Sequence, residues 1–124
     1  LSSLSYKVYT IEIVKSLALR AKKVLKELEM NNVYVRWGDG YKGWPSEAPF
    51  DCIIVTAAPN EIPEALINQL KIGGKLVIPV GKYWQELKVI SKTSDSNINE
   101  KTIIPVRFVP MIHPSNPFSD EDLN

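Results

Sequence analysis

Two acids stand where apolar strands stop. Lys7-Val8-Tyr9-Thr10-Ile11 reads as a β-strand ending at Glu12; about one helix later, Val33-Tyr34-Val35-Arg36-Trp37 runs into Gly38-Asp39-Gly40. In an open α/β sheet, ligands bind outside the carboxyl ends of the strands. Carboxylates at two neighbouring strand ends therefore face one crevice. Glu12 can accept from both hydroxyls of a ribose, as a charged bidentate acceptor. Asp39 lies between glycines that let the backbone turn sharply and approach a ligand. It can accept from the exocyclic amine of adenine. Together the two acids read as part of a nucleoside-cofactor domain. Each alone has a plainer reading: Glu12 as a solvated acid opening a helix, Asp39 as an ordinary Asp-Gly turn. Nicotinamide-binding folds use the same ribose acid, so Glu12 does not choose the cofactor.

Other candidates flank these acids or follow later strands. Thr56-Ala57-Ala58-Pro59 comes after the most apolar strand, and its small side chains leave room for a substrate or reactive group. The alternative there is a tight strand-to-helix turn with nothing bound. Trp37, Tyr41 and Trp44 surround the Gly-Asp-Gly loop and can stack on or cover an adenine. They can equally be rim packing, which is the expectation for Trp44. His113, the single His, is expected at the surface and not as a general base. Cys52 is expected to be buried packing. The Lys and Arg residues between Lys15 and Lys26 read as a solvated helix face.

The elements that must position these residues follow from periodicity. Leu17, Ala18, Ala21, Val24, Leu25 and Leu28 recur at helical spacing, which predicts a helix over 14–30. Asn31-Asn32 should end it, since Asn tolerates the left-handed turn after a helix. Residues 38–49, with three Gly and two Pro, read as loop. Asp51 to Thr56 is a nearly continuous apolar run, as in strands covered on both faces of a parallel sheet. Pro63 suits the first turn of a helix to about Leu70, broken by Gly73-Gly74, with a buried strand over Lys75 to Val80. Glu86 to Ser91 and Thr102 to Val109 are strands separated by a polar stretch, which predicts a closing antiparallel hairpin. The order β-α-β-β-α-β with short connections predicts an α/β fold with a mostly parallel sheet. Pro110 to Asn124, rich in Pro, Ser and acids, reads as a poorly ordered tail.

Composition narrows the function classes. The 124 residues suit one domain. A net charge of +1 is no electrostatic footprint for nucleic acid or a membrane surface. One Cys excludes an internal disulfide and a multi-Cys metal site, and fits a reducing compartment. No apolar run approaches the roughly 20 residues that span a bilayer, and no signal peptide is visible. The chain lacks an initiating Met, and Leu1 to Ser5 reads as the tail of an element.

The motifs converge on one family. Glu12, Gly38-Asp39-Gly40 and Gly43-Trp44 stand in a familiar order, followed by the run Ala48 to Pro59 and then Ile62-Pro63, Leu66 and Gln69-Leu70. Gly73 to Gly81, Gln85-Glu86-Leu87 and Val106 to Pro110 complete it. Over Lys7 to Met111 the chain resembles the protein-L-isoaspartate O-methyltransferases. The resemblance implies a Rossmann-like class I methyltransferase domain using S-adenosyl-L-methionine. It implies methylation of the α-carboxylate of L-isoaspartyl residues in damaged proteins and peptides, by a cytoplasmic monomer without nucleic-acid or membrane partners. No acid-base residue is needed for that reaction. Amino-group methyltransferases of bases usually place an Asn or Asp, two prolines and an aromatic where Thr56-Ala57-Ala58-Pro59 stands, so nucleobases are not the expected substrate.

Carried onto this chain, the resemblance puts Glu12 and Ile13 at the ribose, and Gly38, Asp39 and Gly40 at the adenine. Thr56, Ala57 and Ala58 line the reaction centre, while Gln85 and residues 106–110 stand near the peptide. The family's glycine-rich loop and its Ser-Gln-Pro segment, which carries the catalytic Ser, have no counterpart here. The chain is therefore expected to be a carboxyl-terminal portion, with a partial domain over 1–111 and a tail over 112–124. Its central first strand would be missing, leaving an apolar gap beside the Thr56 strand and a piece inactive alone. Two other readings stay open: a nicotinamide-dependent oxidoreductase, and a non-catalytic remnant.

Overall fold

In the computed structural model, which describes residues 7–113, the strands pair in two separate sheets. The first unit is a β-α-β crossover. β1 (Val8–Glu12) and β2 (Val33–Trp37) run parallel, in register from Val8 opposite Val33 to Glu12 opposite Trp37. A parallel pair needs a crossover, and α1 (Lys15–Glu27) supplies it, burying Ala18. The helix ends in a Schellman motif, with Met30 N–H donating to the Leu25 carbonyl and Glu29 N–H to that of Lys26. The left-handed residue is Glu29, at φ 56°, and not Asn31 or Asn32. The two capping bonds hold that conformation despite its cost for a side-chain-bearing residue.

The second unit is a four-stranded sheet in the order β3-β4-β5-β6. Its strands are β3 (Phe50–Ile54), β4 (Leu70–Val80), β5 (Gln85–Lys92) and β6 (Ile98–Val106). β3 and β4 are parallel; β4-β5 and β5-β6 are antiparallel. The closing hairpin is therefore as expected, while antiparallel pairing begins one strand earlier. α2 (Glu64–Asn68) places Leu66 over Leu70, Leu76, Ile78 and Ile90. Ile53, Val55, Ile62, Ile67 and Val80 pack around this cluster.

Three expectations fail here for physical reasons. α2 stops at Asn68, before Gly73-Gly74, because the Lys92 ammonium caps it by donating to the carbonyls of Ile67 and Leu70. The glycine pair instead lies inside β4 at a bulge, where pairing jumps from Phe50 opposite Leu70 to Cys52 opposite Lys75. Gly73, at φ +87°, takes a backbone conformation that a side chain resists. Cys52 is exposed, not buried, and β3 is not covered on both faces. Ile53 and Val55 reach the core cluster, whereas Cys52 and Ile54 alternate onto the face that α2 does not cover.

The start of the expected tail is tied down. Ala58 N–H donates to the Val109 carbonyl, Met111 N–H donates to that of Ala58, and the Tyr41 hydroxyl donates to that of Met111. The remainder of that tail, from 114 on, lies outside the described residues. Among the described residues, no helix is long and apolar enough to cross a membrane.

Candidate functional site

Parallel pairing in register brings the ends of β1 and β2 to one edge of the first unit. The Gly38 N–H extends the ladder by donating to the Glu12 carbonyl at 3.0 Å. Asp39 then follows one residue beyond Gly38. Glu12 is half-buried, and its Oε1 accepts from the Val14 N–H at 3.3 Å. Val14 is the N-cap residue of α1, so one carboxylate oxygen holds the turn that leads into the helix. The other, Oε2, makes no hydrogen bond among the described residues. One Glu12 oxygen is thus committed to the Val14 main chain.

Ile13 and Trp37 form a structural pair. The Trp37 indole Nε1–H donates to the Ile13 carbonyl at 2.9 Å, and the Lys15 ammonium lies 5.0 Å from the Trp37 ring centroid. Trp37 thereby fixes the turn that presents Glu12. Gly38 is buried beside Asp39, whose side chain is only 7% exposed. His113 is a surface residue, as expected, with its side chain 67% exposed; its Nδ1 lies 3.4 Å from Asp39 Oδ2. Ionised carboxylates only accept hydrogen bonds. Ribose hydroxyls and the adenine amine are donors, so the Glu12 and Asp39 set fits the polar edges of an adenosine. A depression of about 210 Å³, lined by Leu25, Lys26, Met30 and Val33 among others, lies at the opposite, amino end of β2.

In the second unit, Thr56 is exposed and Ala57 half-buried, just past the end of β3. Ala58 is 3% exposed, with both backbone groups committed to Val109 and Met111. The Gly81 N–H donates to the Pro59 carbonyl, joining the β4-β5 turn to the same segment. Gln85 is buried and acts as a clamp: its Nε2 donates to the Phe108 carbonyl at 3.1 Å, and its Oε1 accepts the Phe108 N–H at 2.6 Å. Segments 56–59, 81–85 and 107–111 are thus joined by main-chain and amide bonds.

A second clamp escaped sequence reading. Gln69 is buried, with Oε1 accepting the Trp44 N–H at 2.9 Å and Nε2 donating to the Lys42 carbonyl at 2.9 Å. It fixes the loop of two 3₁₀ turns, Gly40–Lys42 and Pro45–Glu47, and holds Trp44 half-buried. A Cβ on Gly43, at φ +64°, would run into the Gln69 amide, so only glycine fits there. The available signal was a lone polar residue beside Leu66 and Leu70, where helix period predicts burial.

The family model for protein-L-isoaspartate(D-aspartate) O-methyltransferase matches residues 3–116. The chain belongs to this family. A Gloeobacter violaceus protein-L-isoaspartate O-methyltransferase is 50% identical over 113 residues, covering 90% of this chain and 55% of its own length. One from Erwinia tasmaniensis is 50% identical over 105 residues, covering 85% of this chain and 50% of its own. This chain spans about half the length of the curated relatives it matches.

Solved structures agree on the fold. A protein-L-isoaspartate O-methyltransferase superposes with TM-score 0.79 at 30% identity, over 84% of this chain and 33% of that one. A Plasmodium falciparum protein, provisionally described as such an enzyme and solved with S-adenosyl-L-homocysteine, gives TM-score 0.74 at 29% identity. It is covered over 52% of its length and covers 86% of this chain. The fold is the α/β, Rossmann-like fold of this methyltransferase family. Membership also decides against the nicotinamide-dependent oxidoreductase that Glu12 alone left open.

Proposed function

We propose that this chain carries the adenosine-recognising acids and the reaction-centre turn of a protein-L-isoaspartate O-methyltransferase. The enzyme uses S-adenosyl-L-methionine to esterify the α-carboxylate of L-isoaspartyl residues in damaged proteins and peptides. The observation that supports it most is the pair Glu12 and buried Asp39, past the same edge of a parallel strand pair, in a chain of this family.

The bound cofactor supplies an electrophilic methyl group on a sulfonium. The substrate carboxylate is ionised at neutral pH, so this chain has no proton to remove from it. Its work is to bind, orient and exclude water, and orientation can supply roughly 7–11 kcal/mol of barrier reduction. Glu12 accepts from the ribose hydroxyls through Oε2 while Oε1 stays on the Val14 N–H. Ile13, Gly38 and Gly40 line the adenosine with main chain, and Asp39 accepts from the adenine amine. Thr56, Ala57 and Ala58 border the reaction centre with small side chains. Gln85 acts on the peptide side through the backbone of Phe108. The setting is the cytoplasm and the enzyme a monomer; the near-neutral charge of +1 on this chain fits a partner that is neither nucleic acid nor membrane.

The test is steady-state kinetics of Asp39→Ala in the complete protein. Adenine binding is the same in ground and transition states, so the KM for S-adenosyl-L-methionine should rise about tenfold or more with kcat changed less. An unchanged KM removes Asp39 from the site. Fluorescence quenching should also respond to S-adenosylhomocysteine and not to NADH.

A further inference from the structure

We propose that Tyr83 and Trp84, on the β4-β5 turn, are the docking surface for apolar side chains that flank the isoaspartyl residue of a peptide substrate. The inference rests on the reading of this chain as part of an isoaspartyl methyltransferase, with Thr56 to Ala58 at its reaction centre. It starts from two aromatic residues that are 87% and 80% exposed, the highest values for large apolar side chains among the described residues.

The turn that carries them is anchored on both sides. Gly81 has φ +130°, and a Cβ there would run into the Trp84 carbonyl, so only glycine closes the turn. The Gly81 N–H donates to the Pro59 carbonyl at 2.9 Å. On the other side, the Gln85 Nε2 donates to the carbonyls of Lys82, at 3.4 Å, and Phe108, at 3.1 Å. The main chain around the two rings is thereby tied to segments 56–59 and 107–111, all within the second unit. Tyr and Trp offer large contact area for few rotatable bonds. Rings on a fixed backbone lose less freedom when a partner settles on them.

Position, charge and area together favour a peptide as the occupant. Lys82 and Arg107, both exposed, are the only charged residues in 81–85 and 106–111, and both are positive. The Lys82 ammonium lies 5.3 Å from the Tyr83 ring centroid. An isoaspartyl residue carries a free carboxylate, which such a surface attracts. Two rings bury at most roughly 300–500 Å². A stable pair of protein copies needs about 800 Å² on each partner. A short extended peptide needs no such area. Ring faces also accept any apolar side chain without directional bonds, which suits an enzyme that meets damage in many sequences.

The experiment is methyl-transfer kinetics of the complete protein with two isoaspartyl hexapeptides. They are identical except that both neighbours of the isoaspartate are Leu in one and Ser in the other. The wild type should show a KM about fivefold or more lower for the Leu peptide. The double variant Tyr83→Ser, Trp84→Ser should lose that preference, with kcat and the KM for S-adenosyl-L-methionine unchanged. Lys82→Gln with Arg107→Gln should raise the KM of both peptides about two- to threefold at low salt and not at high salt. Equal KM values for the two peptides in the wild type, or a preference that survives the double variant, overturn the proposal. A wild type that methylates neither peptide overturns the underlying reading instead. A second measurement needs no turnover. Acrylamide quenching of Trp84, taken as wild type minus Trp84→Phe, should fall when the Leu peptide is added with S-adenosylhomocysteine. A Trp84 already shielded without peptide, or one the peptide does not shield, ends the proposal. So does self-association of the wild type in sedimentation that the double variant abolishes, which would assign the rings to a second copy.

Discussion

The β1-α1-β2 unit buries two apolar side chains, Ala18 and Val35, whereas the four-stranded unit buries Ala58, Leu66, Leu70, Leu76, Ile78 and Ile90. Leu17, Leu19 and Val24 of α1, and Leu28 at its C-cap, are all exposed. A two-stranded sheet is marginal alone, and one helix with a single fully buried residue adds little. The candidate adenosine acids nevertheless belong to this thin unit. The dense unit carries Thr56 to Ala58 and the glutamine clamps on their surroundings. Ligand-binding segments are commonly drawn from the less stable parts of a protein. A ligand on Glu12 and Asp39 would stabilise the unit that holds them, in proportion to its concentration over Kd.

Equilibrium unfolding of point variants can break or sharpen that contrast. Leu76→Ala, at a fully buried position, should cost about 3–5 kcal/mol. Gln69→Leu strands the Trp44 N–H and the Lys42 carbonyl, and should cost about 2–3 kcal/mol. It should also change the Trp44 fluorescence before unfolding begins. Gly73→Ala meets no atom within 4 Å, so only the left-handed backbone resists it, at about 1–2 kcal/mol. Leu17→Ser, at a half-exposed position on α1, should move stability by no more than about 0.5 kcal/mol. Were Leu17→Ser to cost as much as Gln69→Leu, the outer face of α1 would have to be covered in solution, and the contrast between units would fail.

How far the chain could be read in advance differs between its parts. β1, β2 and the closing hairpin were legible because alternation and β-branched composition act over a few residues. The fate of Gly73-Gly74 was not, since a glycine pair suits a helix end and a bulge equally, and the Lys92 cap that ends α2 comes from another strand. Cys52 was misread because an apolar run does not say which faces of its strand are covered. The position of Glu12 at a strand end was legible, but the bond from the Val14 N–H that takes one of its oxygens was not.

Residue order alone determined the α/β class, the two acids at parallel strand ends and the family, because these rest on local periods and short motifs. Tertiary structure alone decided that Gln69 and Gln85 are clamps, that Trp37 braces Ile13, and that His113 meets Asp39. Those contacts join residues 23 to 74 positions apart, and no local pattern encodes which distant backbone group or carboxylate a polar side chain will meet once the chain has folded.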